Sequence, residues 1–398
     1  MKQNYLSLLF ILFILFGSCG KSDPAKTIDP DPPKTEEPDE EVSEISIEKA
    51  VFTDPATVAK GTASNVIRDE LIRYLDGASK GSTVHVNIYL MDDDAIINAI
   101  IRAHVRGVKM NVMIDNSRDT PQKQNVGAIR ALNSALFGDS RLIVVDSDLK
   151  EAPDNGSIDH HKHILFSEVV LKEGRAKNVV FSTSHNFITA APKKIQDGVI
   201  LSDENLYNVF LENWESIASK ANGGMRDFVY RIYNSADNKV TAYFFPRIKD
   251  GVWDGEDTVI EILDKISDFE NTTIQVGMSD WSNSRVNTAK KLTELQAKGA
   301  KVEVIAKAAA GNLVQNELAI IKDKGGYVNI FQSPHNIHSK FMLINGTWDG
   351  KKQTVLICGT HNFTPNALHL NNELILILKD SPLFKDYHDN FEKIKASF

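Results

Sequence analysis

Residues 82–116 read STVHVNIYLMDDDAIINAIIRAHVRGVKMNVMIDN, and this stretch decides the fold. It opens with an alternating run rich in β-branched residues, which is typical of a strand, and a polar turn follows. Apolar residues then recur at helical spacing from Ile96 to His104, with Asp92 placed to cap the helix. Gly107 stands where a glycine commonly ends a helix, and a second strand follows it. The stretch therefore predicts a βαβ unit.

The same unit occurs again at residues 272–307, TTIQVGMSDWSNSRVNTAKKLTELQAKGAKVEVIAK. The residues that precede the two units also match, EKAVFTDP at 48–55 and VTAYFFPR at 240–247. Self-similarity on this scale indicates two copies of one structural unit. Because short strand–helix–strand connections favour parallel pairing, we expect α/β lobes, each with a mixed, mainly parallel sheet flanked by helices.

The N-terminal residues differ in composition from the rest of the chain. Residues 1–18 have a positive start at Lys2 and an apolar run too short to span a membrane comfortably, so they predict a cleaved export signal. The ending FGSC is similar to a bacterial lipobox, which predicts lipidation at Cys19; an ordinary secretory signal with an incidental cysteine is the alternative. Residues 19–44 are acidic and proline-rich, which predicts an extended tether. We therefore expect a lipid-anchored protein on the periplasmic or outer face of a bacterial cell envelope.

The remaining residues are long enough for two lobes, which we assign to residues 45–222 and 223–398. The formal net charge is −8, part of which belongs to the tether. No long basic stretch suggests a groove for a polyanion, and this disfavours nucleic acid as a partner. Cys358 is the other cysteine, and with Cys19 acylated it has no disulfide partner.

A cluster of polar residues follows the first βαβ unit. Residues 158–165 read IDHHKHIL and contain the His-x-Lys pair His160 and Lys162. After a hairpin of apolar strands comes Asn186, and Asp197 stands eleven positions beyond it. A single His-x-Lys pair carries almost no information, because one is expected by chance in a chain of this composition.

The cluster recurs after the second βαβ unit. His338 and Lys340 form the pair, Asn362 follows a buried strand, and Glu373 again stands eleven positions beyond the asparagine. Two such pairs at matched offsets from a strand, an asparagine turn and an acid make chance a poor explanation.

The doubled cluster resembles the phospholipase D superfamily, whose mark is a duplicated His-x-Lys motif followed by a Gly/Ser-x-x-Asn-type turn. The resemblance covers residues 51–398. It implies two α/β lobes related by a pseudo-twofold axis, with one active site at their seam and no metal or cofactor. The sequence departs from the family pattern at Ser167 and Asn345, where the family has an aspartate, and at Thr183, where the second copy keeps Gly359. These departures put the subfamily in doubt.

Phosphodiester cleavage through a covalent intermediate needs a nucleophile, an acid for the leaving oxygen and cations for the developing charge. By resemblance His160 is the nucleophile and His338 the general acid and base, with the reverse assignment left open. Lys162 and Lys340, each two residues from its histidine on an extended segment, point the same way and would hold the non-bridging oxygens.

Two further pairs of residues would support this chemistry. Asn186 and Asn362 would add amide donors. Asp197 and Glu373 are placed to accept a hydrogen bond from an imidazole Nδ1, which fixes the tautomer that leaves Nε2 free. The sequence does not say whether each acid serves its own lobe or the other.

Four remaining histidines each have two interpretations, and one aromatic residue has a predicted role. His161 and His163 lack the further ligands that a zinc site needs, so packing is favoured over metal binding. His185 and His361 share the variable slot of the two asparagine turns, where lining a pocket and a structural role are equally supported. Trp281 ends a strand and is predicted to shape the substrate mouth.

Two segments near the predicted site have roles that we infer from their positions in the sequence. Asp92, Asp93 and Asp94 end a strand, and helix capping accounts for them. Residues 115–155 are longer than their counterpart in the second copy, which predicts a lid or selectivity loop.

These features predict a phosphodiesterase that cleaves or transfers phospholipid headgroups and acts at a membrane through its lipid anchor. The alternative is a metal-independent envelope endonuclease, since GTHNFTPNALHLNNELIL at residues 359–376 looks much like part of the small nucleases of this superfamily. Those nucleases carry one motif per chain and dimerise, whereas this chain carries two, so we expect a monomer. A catalytically silent scaffold is disfavoured because both His, Lys and Asn sets are present.

Overall fold

The structure is a computed structural model, and residues 42–398 form one compact unit. The described residues are 42–117, 123–146, 157–221, 230–249, 252–253, 255–308 and 310–398. The predicted export signal, Cys19 and most of the tether lie outside the described residues, as does part of the predicted lid. Among the helices that are described, none has the length and apolar character needed to cross a membrane.

The first lobe is built around a seven-stranded sheet. Its strands are β1 (Glu48–Phe52), β2 (Thr83–Ile88), β3 (Lys109–Asp115), β4 (Arg141–Val145), β5 (Lys162–Leu171), β6 (Gly174–Thr183) and β7 (Asp197–Ser202). Its helices are α1 (Pro55–Ala59), α2 (Val66–Gly77), α3 (Asp94–Val105), α4 (Val126–Ala135) and α5 (Glu204–Lys220), with a 3₁₀ turn at Ala191–Lys193.

The second lobe is built around a nine-stranded sheet. Its strands are β8 (Arg231–Asn234), β9 (Val240–Phe244), β12 (Ile266–Ser267), β13 (Thr273–Met278), β14 (Lys301–Lys307), β15 (Tyr327–Phe331), β16 (Lys340–Trp348), β17 (Lys351–Gly359) and β18 (Leu374–Lys379), and β10 (Ile248–Lys249) pairs separately with β11 (Val252–Trp253). Its helices are α6 (Thr258–Asp264), α7 (Val286–Ala297), α8 (Asn312–Asp323), α9 (Pro365–His369) and α10 (Leu383–Ser397), with 3₁₀ turns at Phe269–Asn271 and Asn283–Arg285.

The two sheets share one strand order. The order β1-β7-β6-β5-β2-β3-β4 in the first lobe matches β9-β18-β17-β16-β13-β14-β15 in the second, with β8 added beyond β9. This confirms the predicted α/β class with mixed sheets. Parallel pairing is confined to β2-β3-β4 and β13-β14-β15, however, and the antiparallel pairs outnumber the parallel ones that we expected to dominate. The reason is that tight hairpins such as β5–β6 and β16–β17 reverse the chain after each βαβ unit.

The acid run after β2 caps a helix, but one residue later than predicted. The N-cap of α3 is Asp93, whose carboxylate accepts a hydrogen bond from the Ala95 N–H at 2.9 Å. Asp92 instead accepts from the N–H of Thr189 at 2.8 Å and from the Gln124 amide at 2.6 Å. Asp92 thus ties the end of β2 to two neighbouring loops.

The two sheets pack against each other through a shared hydrophobic core. This core takes side chains from the inner faces of both sheets and from α5 and α10: Leu165, Val180, Val199 and Phe210 from the first lobe, and Phe244, Leu343, Leu356, Leu376 and Phe391 from the second. Burying each side chain of this size stabilises the packed state by about 1.5–3 kcal/mol. The core therefore stabilises the packing of the two lobes against each other.

The strand ends before the two asparagine turns differ, and this explains why Thr183 replaces a glycine. Gly359 has a φ of 146°, and a Cβ there would lie 2.2 Å from the carbonyl oxygen of Leu374. Thr183 is not among the residues with positive φ, and its Oγ1 donates to the Asp197 carbonyl at 2.6 Å. Only the second turn requires glycine.

We predict that Gly359→Ala lowers the free energy of unfolding by roughly 2 kcal/mol or more, because of the positive φ and the clash with the Leu374 carbonyl. The equivalent change Thr183→Ala loses two hydrogen bonds, one donated to the Asp197 carbonyl and one accepted from the His185 N–H, and should cost roughly 1–3 kcal/mol. Urea unfolding followed by circular dichroism measures both. Equal urea midpoints for Gly359→Ala and the wild type would contradict the described turn.

Candidate active site

Both His-x-Lys motifs enter their strands beside the backbone of the other lobe. The N–H of His160 donates to the carbonyl of Asn372 at 2.9 Å, and the N–H of His338 donates to the carbonyl of Ile195 at 2.8 Å. Each bond belongs to a short parallel bridge between the lobes. Each histidine is therefore positioned by the opposite half of the chain, and the two motifs meet at the seam.

The two lysines bring two cations into this buried place. The Nζ of Lys162, which is fully buried, donates to the His160 carbonyl at 2.7 Å, and the Nζ of Lys340 donates to the His338 carbonyl at 2.6 Å. Burial, and then repulsion from Lys340, holds the pKa of Lys162 well below its ordinary range. Burial also lowers the pKa of Lys340 to about 8. An anion between the two amines would favour the charged form of both.

His160 is paired with a carboxylate from the second lobe. Its Nδ1 lies 2.9 Å from Oε2 of Glu373, and both side chains are buried. Burial raises the pKa of Glu373 to about 7, whereas Lys162 acts to lower it. Burial, with Lys162 and Lys340, lowers the pKa of His160 well below its usual value. A hydrogen on Nδ1 that is donated to Glu373 leaves the Nε2 lone pair of His160 unprotonated.

His338 is paired with a neutral amide instead. Its Nδ1 lies 3.1 Å from Oε1 of Gln196 and 3.0 Å from the carbonyl oxygen of Ser184. The Gln196 Nε2 donates to the Ala191 carbonyl at 2.7 Å, which turns Oε1 towards the imidazole. Nζ of Lys340 also lies near Nδ1, at 3.2 Å. Because the other two neighbours are oxygen acceptors and only a ring N–H can donate to them, we assign the hydrogen of His338 to Nδ1.

The prediction that Asp197 accepts from an imidazole is wrong. Its carboxylate is buried and accepts from the Tyr387 hydroxyl at 2.8 Å. Burial raises the pKa of Asp197 despite this hydrogen bond. The Glu373 half of the same prediction agrees with the structure, and this acid serves the histidine of the other lobe.

A one-residue difference between the two copies explains this outcome. Ser184 and Thr360 each stand two positions before a turn asparagine. The Ser184 N–H donates to the Asp197 carbonyl at 2.9 Å, and the Thr360 N–H donates to the Leu374 carbonyl at 3.0 Å, so Asp197 corresponds to Leu374. The pairing of β1 with β7 and of β9 with β18 gives the same equivalence. Gln196 is therefore the counterpart of Glu373. Because side chains alternate along a strand, one residue of shift turns Asp197 to the opposite face.

Asn186 and Asn362 are both buried, and their role as amide donors stays a prediction. Asn362 Oδ1 accepts from the N–H of Asp280 at 3.3 Å, which directs its Nδ2 the other way. Asn186 is buried, and its Oδ1 has no hydrogen-bond partner among the described residues. A side-chain amide carries two N–H donors, so we keep the expectation that both asparagines donate to a bound anion.

The proposed mouth residues lie below the surface. Trp281 is 1% exposed, its Nε1 donates to the Arg285 carbonyl at 3.0 Å, and its ring packs on Phe363 with centroids 4.9 Å apart. The prediction that Trp281 shapes the mouth is therefore wrong, because a backbone bridge to Phe363 draws it into the core. His185 and His361 are also buried, and their ring nitrogens lack partners among the described residues.

The other two histidines of IDHHKHIL pack in the first lobe. His161 Nδ1 lies 2.9 Å from Oδ1 of Asp159, and both side chains are fully buried. The His163 ring contacts Phe210 edge-on, with centroids 5.1 Å apart. Within the described ranges, no group of three or more His, Cys, Asp or Glu side chains could hold a metal ion.

Sequence reasoning missed several residues around the histidines. The Tyr89 ring contacts His160 edge-on at 5.2 Å between centroids and lies 5.4 Å from the Lys162 Nζ. On the second-lobe side Asp280 forms an ion pair with Lys307 at 2.7 Å. These three residues end or follow β2, β13 and β14, and the carboxyl ends of parallel strands commonly hold ligands. The position of Tyr89, Asp280 and Lys307 at strand ends could therefore have identified them from the sequence. Nothing in the sequence singled out Gln196.

Comparison with known proteins identifies the family. A family profile described as "Cardiolipin synthase, PLD-like domain" matches residues 71–217 and 262–395, which is more than half of the chain. The chain belongs to this PLD-like family. Each matched segment lies in one lobe, in agreement with the doubled motif and the repeated sheet. The protein is therefore an enzyme of the phosphodiesterase class within the PLD superfamily.

Curated and solved relatives are similar at moderate to low identity. The chain is 28% identical over 176 residues to a protein named Phospholipase D from Rickettsia conorii, covering 44% of this chain and 71% of the relative. It is 27% identical over 231 residues to a Phospholipase D from Rickettsia bellii, covering 56% and 97%. The crystal structure of phosphatidylserine synthase from Haemophilus influenzae superposes with a TM-score of 0.58 at 12% identity, covering 88% of each chain. This superposition shows a shared PLD fold.

The departures from the PLD pattern lie away from the histidines. Ser167 and Asn345 stand five residues beyond Lys162 and Lys340 on straight strands, which is about 16 Å along the strand. The Ser167 hydroxyl accepts from the Thr83 N–H at 2.8 Å, and Asn345 is exposed. Both substitutions therefore lie within interior strands, away from the His-Lys pairs.

We predict that the buried His163 of this PLD-like enzyme makes its stability fall in acid. Burial, and then His161 and His85, hold the pKa of folded His163 well below the 6.5 of an unfolded histidine. The stabilising effect of the neutral ring is therefore complete above pH 6.5 and declines as the pH falls below it, by at most about 1.4 kcal/mol per pH unit.

The test is urea unfolding of the wild type and His163→Phe between pH 8 and pH 4.5. The variant should lose less free energy of unfolding than the wild type between pH 8 and pH 4.5. At pH 8 the ring is neutral in both states of the wild type, so the difference between the two proteins there measures the change in packing alone. Identical pH slopes would count against a buried, neutral His163.

Proposed function

We propose that the protein is a phospholipase D-type phosphodiesterase that cleaves or transfers phospholipid headgroups through a phosphohistidine. The observation that carries this proposal is the buried hydrogen bond between His160 Nδ1 and the Glu373 carboxylate at 2.9 Å. Attack of Nε2 on phosphorus leaves a positive charge on the ring, and a carboxylate on Nδ1 stabilises that charge. His160 is the nucleophile.

Lys162 and Lys340 hold the non-bridging oxygens of the phosphodiester. Their pKa values are lowered chiefly by burial, that of Lys340 to about 8 and that of Lys162 further below its ordinary range in the presence of Lys340. An anionic phosphate between them favours the ammonium form of both. The amides of Asn186 and Asn362 add donors on either side. Together they stabilise the charge of a five-coordinate transition state without a resident cofactor.

His338 acts as general acid and then as general base. Burial, with Lys340 and Lys194, holds its pKa well below the ordinary value, so the free ring is neutral. The charge of the bound phosphate offsets those cations and allows Nε2 to be protonated. Nε2 then gives its proton to the leaving alcohol, and afterwards takes one from the water or alcohol that attacks the phosphohistidine.

A lipid is the substrate that the surroundings of His160 favour. An apolar cluster of Tyr89, Leu90, Ile188 and Ala191 lies on the first-lobe side, and the Tyr89 ring touches His160. The relatives named Phospholipase D support the same class of substrate. A lipid anchor at Cys19 would keep the enzyme at the membrane of the cell envelope, as a monomer whose site is complete within one chain.

An endonuclease is the second candidate. The observation that favours it is the set of lysines around the seam, since Lys194 and Lys307 lie within electrostatic range of each other and of Asp280. Additional cations suit the neighbouring phosphates of a nucleic-acid strand.

We predict that His160→Ala and His338→Ala each reduce turnover by on the order of 10⁴-fold or more, because neither covalent attack nor proton transfer has a substitute. Release of choline or ethanolamine from mixed phospholipid vesicles provides the assay. His104→Gln, on α3 and hydrogen-bonded to Ser140, is the control and should keep wild-type activity. Full turnover by His160→Ala would show that the mechanism is wrong.

We also predict that EDTA leaves turnover unchanged, because the lysines supply the positive charge that metal ions supply elsewhere. The same EDTA-treated enzyme is offered phospholipid vesicles and single- and double-stranded DNA. Headgroup release without DNA cleavage excludes the nuclease, and DNA cleavage without headgroup release excludes the lipase.

A further inference from the structure

The two halves of the site differ at one hydrogen bond. His160 Nδ1 faces a carboxylate, Glu373, at 2.9 Å, and His338 Nδ1 faces an amide, Gln196, at 3.1 Å. The strand pairing makes Glu373 and Gln196 equivalent positions of the repeat. If both histidines had the same hydrogen-bond partner, either one could attack the phosphorus atom. The difference between Glu373 and Gln196 therefore bears on which histidine is the nucleophile.

Gln196 is held with its uncharged amide oxygen facing His338. It is 0% exposed, and its Nε2 is engaged with the Ala191 carbonyl at 2.7 Å. Its Oε1 therefore accepts from His338 without carrying charge. A hydrogen bond to an ionised acceptor is roughly twice as strong as one between neutral groups, so a cationic ring is supported much better at His160 than at His338.

The groups that face His338 reinforce this difference. Lys162 and Lys340 disfavour a positive charge on both rings. Lys194 before β7 adds to this effect at His338, whereas Asp280 after β13 favours a positive charge on His160. The Ser184 carbonyl at 3.0 Å is the other acceptor near Nδ1. A phosphoimidazolium carries a lasting positive charge, whereas a general acid gives its proton away in the same step.

We propose that Gln196 is a positioning residue that assigns the two histidines their separate roles, restricting covalent attack to His160 and acid–base catalysis to His338. This inference rests on the proposed phosphohistidine mechanism. In the first step the bond from His160 Nε2 to phosphorus forms and the bond from phosphorus to the leaving oxygen breaks. The proton on His338 Nε2 moves to that oxygen.

The test is to exchange the two partners in the full-length protein, as Gln196→Glu with Glu373→Gln. Wild type, the exchanged variant and each single variant are mixed with bis(p-nitrophenyl) phosphate, whose leaving group needs little acid assistance, and quenched in alkali. Peptide mapping by mass spectrometry then locates the phosphoryl adduct. We expect the adduct on His160 in the wild type, on His338 in the exchanged variant and on both histidines in Gln196→Glu.

A rate measurement supplies a second readout. Glu373→Gln should slow p-nitrophenol release by about 10²- to 10⁴-fold, and the added Gln196→Glu change should restore at least part of that loss. A merely structural role for Gln196 predicts a further loss and no movement of the adduct.

The outcomes separate the two proposals. An adduct that stays on His160 in the exchanged variant, or one found on neither histidine of that variant although it unfolds at the wild-type temperature, overturns the role of Gln196. A wild-type enzyme that turns over the diester with no adduct on any histidine overturns the phosphohistidine mechanism itself.

Discussion

The hydrogen bond between the His160 imidazole and the Glu373 carboxylate is the contact on which the site depends. The two residues lie 213 positions apart, one in each lobe, and the bond is buried. It can form only when the two sheets pack through their shared core, because neither lobe alone holds both groups. Packing of the two lobes therefore brings the Glu373 carboxylate to His160. A change that loosens the core should weaken the site even where it touches no catalytic residue.

The second constraint is the concentration of positive charge around that bond. Lys162 and Lys340 are buried, and both imidazoles lie within range of their charges. Charges taken out of water cost several kcal/mol each unless they are paired, so burial lowers the pKa values of both lysines and both imidazoles, that of Lys340 to about 8. A phosphodiester anion offsets that cost, because its charge allows the lysines and one histidine to be protonated. In the proposed mechanism the electrostatics of the site therefore favour an anionic substrate, before any contact with the rest of that substrate is considered.

The repeat is nearly symmetric in backbone and clearly asymmetric in chemistry. Gln196 takes the place of Glu373, and on the β14 strand Lys307 stands where β3 has Asp115. Tyr89 and its apolar neighbours line one side of the seam, and the ion pair of Asp280 with Lys307 lines the other. In the proposed mechanism the duplicated fold supplies two histidines to one phosphate. These substitutions give the two faces different partners, which a reaction with an entering and a leaving group requires.

The sequence by itself determined the repeat, the α/β class and the two His-Lys-Asn sets, because strand and helix periodicity and the spacing of the motifs are local properties. It could not determine which acid meets which histidine. Asp197 and Glu373 stand at the same distance from their asparagines, and only strand pairing shows that the first copy is shifted by one residue. It also placed Trp281 at a mouth, whereas a backbone bridge draws that ring into the core. Contacts between lobes decide these points, since the face to which a side chain turns depends on register, and register is set by partners far away in the chain.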